Sequence, residues 1–316
     1  MFKDSDYHIP VLYTEVLETL LIKPNGVYVD CTAGGGGHSL GILKQLSSTG
    51  VLVSIDQDPA ALTTTKLKLE SLNQNNAQFI LVNNQFSHLR EILNDLKIVK
   101  VDGVLADLGV SSYQIDTAER GFSFQKDGTL DMRMDPSNPV NAADIVNNSS
   151  AEDLVYIFQV YGEEKYTQRI VAAIIAERKT KLFRSTFDLV NLIKKVVPAR
   201  SKREKHPAKR IFQALRIAVN QELKELEDLL NVLPQCVKSG GRISLISFHS
   251  LEDRLIKHKF QEWENPCTCP KDFPICVCGN MPLGKTIGRK GITAKAEEIS
   301  KNSRARSARL RVFEMI

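Results

Sequence analysis

No apolar run in these 316 residues approaches the roughly 20 that a membrane span needs. The opening stretch, MFKDSDYHIP, has no apolar core of the kind that directs secretion. No internal repeat is visible, and six cysteines in a chain of this character do not read as a disulfide framework. These absences exclude a membrane protein and a small stapled secreted domain, and they lead to the expectation of a cytoplasmic protein. What is present is ordinary for a soluble globular chain: 42% hydrophobic and 25% charged residues. The length suits one large core, or a core domain with a smaller companion.

The net charge of +5 is a mild bias, so its distribution matters more than its size. Residues 178–210 hold twelve Lys or Arg against two acids, and residues 285–311 hold nine against two. Two separate basic zones suit a polyanionic partner; solvated helix faces and a basic tail fit the same composition.

Short, partly β-branched apolar runs stand at 27–30, 51–55, 79–82 and 101–105, with helix-like stretches at 40–46, 60–72 and 89–96 between them. That alternation predicts parallel βαβ units, with helices on both faces and ligands at the carboxyl ends of the strands. Near Ala118 the rhythm changes to a loop-rich segment and then to helical patterns at 151–161, 163–179 and 186–196. The spacing of Ile211, Leu215, Val219, Leu223, Leu226 and Leu230 predicts one long helix over 210–233. Strand signals return at 243–246 and in the closing SARLRVFEMI. The expected organisation is an α/β domain, residues 1–117 and 216–316, interrupted by a helical insert, residues 118–215.

The stretch VDCTAGGGGHS places four glycines between a strand and a helix, where a bare backbone lets a ligand approach closely. A phosphate loop needs Lys then Ser or Thr after its last glycine; here His38 follows Gly37. A dinucleotide fingerprint is matched only in its first half. S-adenosylmethionine and a dinucleotide both remain compatible with the glycines. Asp56, at the end of the second run, is placed to accept hydrogen bonds from ribose hydroxyls, with Asp58 before Pro59 the better helix cap. Phe86, after the third run, either lies beside an adenine or belongs to the core. Asp107, after the fourth, either accepts a hydrogen bond from a reacting amine or cofactor ammonium group, or caps a turn.

Together VDCTAGGGGHS, SIDQDPAAL, DLGVSSYQID, RGFSF, LDMRMD and SFHSLEDR resemble the bacterial MraW/RsmH family over nearly the whole chain. The resemblance implies a Rossmann-like class I methyltransferase sheet with a helical substrate-recognition insert after the fourth strand. It implies S-adenosylmethionine as cofactor, and methylation of the N4 amine of a specific decoding-centre cytosine, number 1402, in 16S ribosomal RNA of the small subunit. It carries cofactor roles to Gly36, Gly37, His38, Asp56, Phe86, Asp107 and Gln114, the last two near the methionine end. Many amino-methyltransferases have an acidic or amide residue, two prolines and an aromatic after strand four. This chain has Asp107-Leu-Gly-Val, so only the acidic first position is kept, and Asp107 is the one candidate catalytic residue. His249 is placed to position base or phosphate, or is structural; Phe122 and Phe124 stack on an extruded base or pack the insert. The basic zones would grip RNA phosphates, which supplies affinity and not base choice. No membrane partner is expected, and the oligomeric state, a homodimer included, is open.

Cys31 and Cys236 stand in apolar segments and read as core residues. Cys267, Cys269, Cys276 and Cys278 form two C-x-C pairs, which fit either a tetrahedral metal site or thiols on a surface excursion; no metal is assigned. Two rivals use the same features: a nicotinamide-dependent oxidoreductase, disfavoured by the incomplete fingerprint, and a non-catalytic ribosome-assembly factor that keeps a cofactor pocket.

Overall fold

The computed structural model describes residues 10–198, 206–270, 275 and 277–316. The chain divides into two compact units, Met1–Gly109 with Lys224–Ile316, and Val110–Leu223. Each division falls eight residues outside the expected boundaries of 118 and 215.

The first unit holds seven strands: β1 (Val27–Asp30), β2 (Val51–Asp56), β3 (Gln78–Asn83), β4 (Val101–Asp107), β5 (Val237–Ser247), β6 (Gly284–Thr293) and β7 (Arg309–Met315). They form one sheet in the order β3-β2-β1-β4-β5-β7-β6. The strands from β3 to β5 pair in parallel, while β7 runs antiparallel to both β5 and β6. This is the expected Rossmann-like α/β sheet, with β7 alone reversed. The parallel strands are near-continuous apolar runs because both of their faces are covered.

Alternate side chains of each strand enter two cores. Val29, Val53, Val104 and Leu245 pack beneath α4 (Leu89–Asp95), α11 (Glu222–Cys236) and α12 (Ser250–Glu264). Tyr28, Leu52, Leu105 and Ile246 pack beneath α1 (Tyr13–Leu20), α2 (Gly37–Leu43) and α3 (Pro59–Leu72). The sheet thus carries helices on both faces. Cys31 and Cys236 are buried in the first of these cores, as their apolar surroundings implied.

The second unit has its own core, built from α6 (Ala142–Asn148), α7 (Ala151–Tyr156), α8 (Thr167–Glu177), α9 (Thr186–Val196) and α10 (Lys209–Asn220). A short helix, α5 (Ser112–Asp116), opens the unit. The loop-rich stretch after it is held by specific bonds. Asn220 donates to the Met132 carbonyl at 2.8 Å and accepts from the Met134 N–H at 2.7 Å. Arg120 donates to the carbonyls of Arg133 and Met134.

The single helix expected over 210–233 is two, α10 and α11, broken at Gln221, whose φ of 49° is left-handed. The apolar stripe runs on without interruption because its two halves serve different cores. Ile211, Leu215 and Val219 face the helical core, whereas Leu226 and Leu230 face the sheet.

Candidate functional site

Strand order reverses between β1 and β4, and in a doubly wound sheet the crevice beyond the carboxyl ends at such a point is where ligands bind. Here β1 ends in Asp30, β2 in Asp56 and β4 in Asp107. The turn after β1 binds these ends together. Thr32 accepts a 2.7 Å hydrogen bond from the Asp107 backbone N–H through its hydroxyl, and its own N–H donates to Asp30 at 3.1 Å.

Asp30 is fully buried, and its Oδ2 accepts from the Ser39 hydroxyl at 2.7 Å. Burial pushes its carboxyl up to about 6, against the opposing pull of Ser39, His38 and Thr32. Asp56 accepts from the Gly34 N–H at 2.8 Å and from the Asp58 N–H at 2.9 Å. Burial pushes it up to about 6 as well, with those two N–H groups working in the other direction. Asp58 caps α3 by accepting from the Ala60 N–H, the cap that the sequence indicates.

The glycines have reasons the sequence does not display. Gly36 has a left-handed φ of 70°, and a β-carbon there would press on Thr65 at 3.0 Å. A β-carbon on Gly37 would stand 2.2 Å from Cγ of Pro10. Packing within the protein therefore demands glycine at both positions. The loop carbonyls are held as well: Thr65 donates to Gly34 O at 3.1 Å and Lys68 to Gly35 O at 3.0 Å.

His38, on the first turn of α2, lies buried with its Nε2 3.6 Å from Asp107 Oδ2, too long for a hydrogen bond. Its ring stacks on Tyr13. Both His38 ring nitrogens and Asp107 Oδ1 are buried with no hydrogen-bond partner among the described residues. Buried polar atoms almost always have partners, so this pair, where strand order reverses, is an arrangement suited to a polar ligand; buried atoms of Glu225, Arg242, His249 and Thr286 in the same unit also lack hydrogen-bond partners among the described residues.

The remaining expectations divide. Phe86 sits in the turn after β3 and packs against the core beneath α4. Gln114 lies in the second unit, buried, where its side chain closes a capping box with Ser111. His249 caps α12 in a capping box with Glu252, and Glu252 accepts from the N–H groups of Phe248 and His249; this is its structural reading. Phe122 is buried in the helical core, and Phe124 stacks on His206 and meets Phe212 edge-on. Both rings are packed inside the insert.

In the first basic zone Lys179, Lys181, Arg184, Lys194, Lys195, Lys209 and Arg210 are exposed. Arg178 donates to the carbonyls of Val146 and Ser149, and Arg200, Lys202, Arg203 and Lys205 lie outside the described residues. In the second zone Arg311 is buried and forms a two-armed pair with Asp253 at 2.6 and 3.0 Å; it is a sheet residue and no phosphate grip. Sequence reasoning missed Asp30, Thr32, Ser39 and Tyr13. Asp30 carried a signal, an acid closing an apolar run; the other three carried none.

The sequence model of the MraW methylase family matches residues 5–316. A ribosomal RNA small subunit methyltransferase H of Carboxydothermus hydrogenoformans is 51% identical over 309 residues, covering 98% of each chain. Proteins of the same name from Clostridium botulinum (strain Loch Maree) and Fusobacterium nucleatum are 50% and 46% identical over 313 and 312 residues, each alignment spanning at least 98% of both chains.

Proposed function

Because the chain belongs to the MraW methylase family, we propose that it methylates 16S ribosomal RNA of the small ribosomal subunit with S-adenosylmethionine as cofactor. The acceptor is the exocyclic N4 amine of a specific decoding-centre cytosine, number 1402. One observation supports this reading above the others: a buried carboxylate oxygen and a buried imidazole without hydrogen-bond partners among the described residues, at the carboxyl ends of the strands where the sheet reverses its order.

The residues there fit the cofactor. Asp56 has accepting capacity left after its two backbone bonds, which suits a ribose diol. Asp107 and His38 offer polar atoms to the methionine end, with the Gly36 and Gly37 backbone beside them and Phe86 on the adenine side. When bound, the cofactor's sulfonium supplies the methyl group.

A cytosine amino nitrogen is a poor nucleophile because its lone pair is delocalised into the ring. Asp107 accepts the hydrogen bond of its N–H, which draws density onto the nitrogen and gives the proton a place to go. Thr32 fixes the Asp107 backbone, so the carboxylate is set by β1 as well as by its own strand. The exposed lysines and arginines of the second unit contact RNA phosphates and provide affinity.

The test is methyl transfer from labelled S-adenosylmethionine to small subunits from cells that lack this gene, with naked ribosomal RNA in parallel and nucleosides identified by mass. N4-methylcytidine is the expected product. Cofactor binding with no methylated nucleoside on either RNA would leave the assembly-factor reading in its place.

A further inference from the structure

Far along the chain from the glycine loop, three sulfurs converge on the excursion that joins α12 to β6. Cys267 and Cys269 follow the end of α12, and Cys278 precedes β6. Their Sγ atoms all lie within 4.8 Å of one another, and Cys267 and Cys278 are 3.9 Å apart. A disulfide holds its sulfurs at about 2.05 Å, so this spacing is not a covalent bridge. Four thiolates around a tetrahedral metal, each at about 2.3 Å, have sulfur–sulfur edges of about 3.8 Å. The observed separation is such an edge.

Burial does not explain why these sulfurs meet. Cys267 is exposed and the other two are only half-buried, while Ile275 and Val277, beside the second pair, are 74% and 73% exposed. Among the described residues, none of those from Pro266 to Pro282 belongs to an apolar core. The backbone is instead arranged around sulfur: the Val277 N–H donates to Cys269 Sγ at 3.3 Å. Gly279, next after Cys278, has a left-handed φ of 68° that turns the chain away. An N–H pointed at sulfur favours a thiolate, which accepts more strongly than a thiol.

The neck of the excursion is closed by ordinary bonds. Asn280 donates to the Pro266 carbonyl at 3.0 Å, and the Leu283 N–H donates to the Trp263 carbonyl at 2.8 Å. The sulfurs are therefore presented from a fixed base.

We propose that Cys267, Cys269 and Cys278 bind a structural zinc ion that staples the excursion between α12 and the edge strand β6. Three converging thiolates, with the fourth tetrahedral position left to a further ligand, select a soft, borderline metal, and zinc suits a site with no redox role. Binding takes the three thiols as thiolates and releases their protons to solvent. The fourth cysteine of the segment, Cys276, lies outside the described residues; the three described sulfurs carry the site. The methyl-transfer reading does not depend on it, nor it on that reading.

The experiment uses the full-length protein. Metal content is measured after gel filtration. Metal-free protein, prepared with a chelator under reducing conditions, is then titrated with Co(II). About one equivalent of zinc is expected. The cobalt form should show thiolate-to-metal charge-transfer absorption with the intense visible bands of tetrahedral geometry, and zinc should displace it. C267S, C269S and C278S should each weaken metal binding at least about tenfold, whereas C236A should not. Protease should cut within residues 265–283 faster without metal and slow again when zinc is restored. Should a serine variant fail to fold, the cobalt spectrum of the unaltered chain still decides. Absence of charge-transfer absorption there, an equivalent of iron or copper instead of zinc, or zinc retained equally by C267S/C269S/C278S combined would overturn the proposal.

Discussion

Strand β4 carries an acid near each end, and the two are treated in opposite ways. Asp102, near its start, accepts from the Val27 N–H at 3.0 Å and from Lys238 at 2.7 Å, with Lys23 at 3.4 Å. Burial alone would raise its carboxyl. The Lys238 hydrogen bond, the Val27 N–H and Lys23 outweigh that and hold it below the usual carboxylate value. Asp107, at the strand's end, has a buried oxygen with no partner among the described residues and an imidazole 3.6 Å away. Neighbouring Asp30 is pushed up to about 6. One end of β4 surrounds its acid with donors, and the other leaves Asp107 Oδ1 without one among the described residues. A polar group left buried in this way destabilises a fold, a cost that the ligand role proposed for Asp107 would offset.

The widest separation of the two edges is expected from a pair of variants. Asp107→Ala should lower kcat/KM for RNA methylation by about 10²–10⁴-fold with little change in thermal stability. Asp102→Ala should leave the activity of the folded enzyme near normal and reduce stability by about 1–3 kcal/mol, because the Val27 N–H loses its acceptor. Activity assays with denaturant titrations of both proteins decide it. If Asp107→Ala loses cofactor affinity in proportion to turnover, the carboxylate serves the cofactor and not the acceptor amine. If it unfolds as readily as Asp102→Ala, the contrast between the edges is lost.

How far this contrast was legible in the sequence depends on which neighbours a residue uses. The parallel strands could be read because both faces are buried, so each strand appears as an uninterrupted apolar run. Strand β6, GKTIGRKGIT, could not, since most of its side chains are half-buried or exposed and two of its glycines take positive φ. The break at Gln221 was hidden because one continuous stripe feeds two cores. At the candidate site, Asp56 and Asp107 are legible as candidates because each closes a strand. Thr32 was not, because its importance lies in a bond to a residue 75 positions away. Gly36 and Gly37 were marked as ligand-facing, but Thr65 and Pro10 supply the crowding. The tightest motifs of the insert, RGFSF and LDMRMD, turn out to hold its loop and core together through Phe122, Met132 and Met134.

The two edges should also differ in the sign of their pH dependence. At the carboxyl edge, Asp30 moves from an ordinary value of 3.8 to about 6 in the folded chain. The native state then holds more protons than the unfolded state across that window, so stability falls as pH rises through it. The share of Asp30 alone is on the order of 2–3 kcal/mol. Asp30→Asn keeps the shape and an acceptor for the Thr32 N–H, and it should flatten this decline. Urea midpoints at about pH 4, 5, 6 and 7 measure it, and an unchanged slope in the variant would mean that Asp30 is not what titrates.

At the amino edge the sign reverses and the size is smaller. The folded Asp102 carboxyl sits below its unfolded value. The stability it contributes is therefore present above about 3.8 and is lost as pH falls through the folded value. Lys238 is 44% exposed, so solvent screens the pair, and Lys238→Met should cost no more than about 1 kcal/mol at neutral pH. The gap between variant and parent should close on acidification, once Asp102 is protonated, and narrow in high salt. A gap that persists unchanged below the pH at which the folded Asp102 carboxyl takes up its proton would assign the loss to the packing of the lysine stem instead. The amino edge would then be held by contact and not by charge.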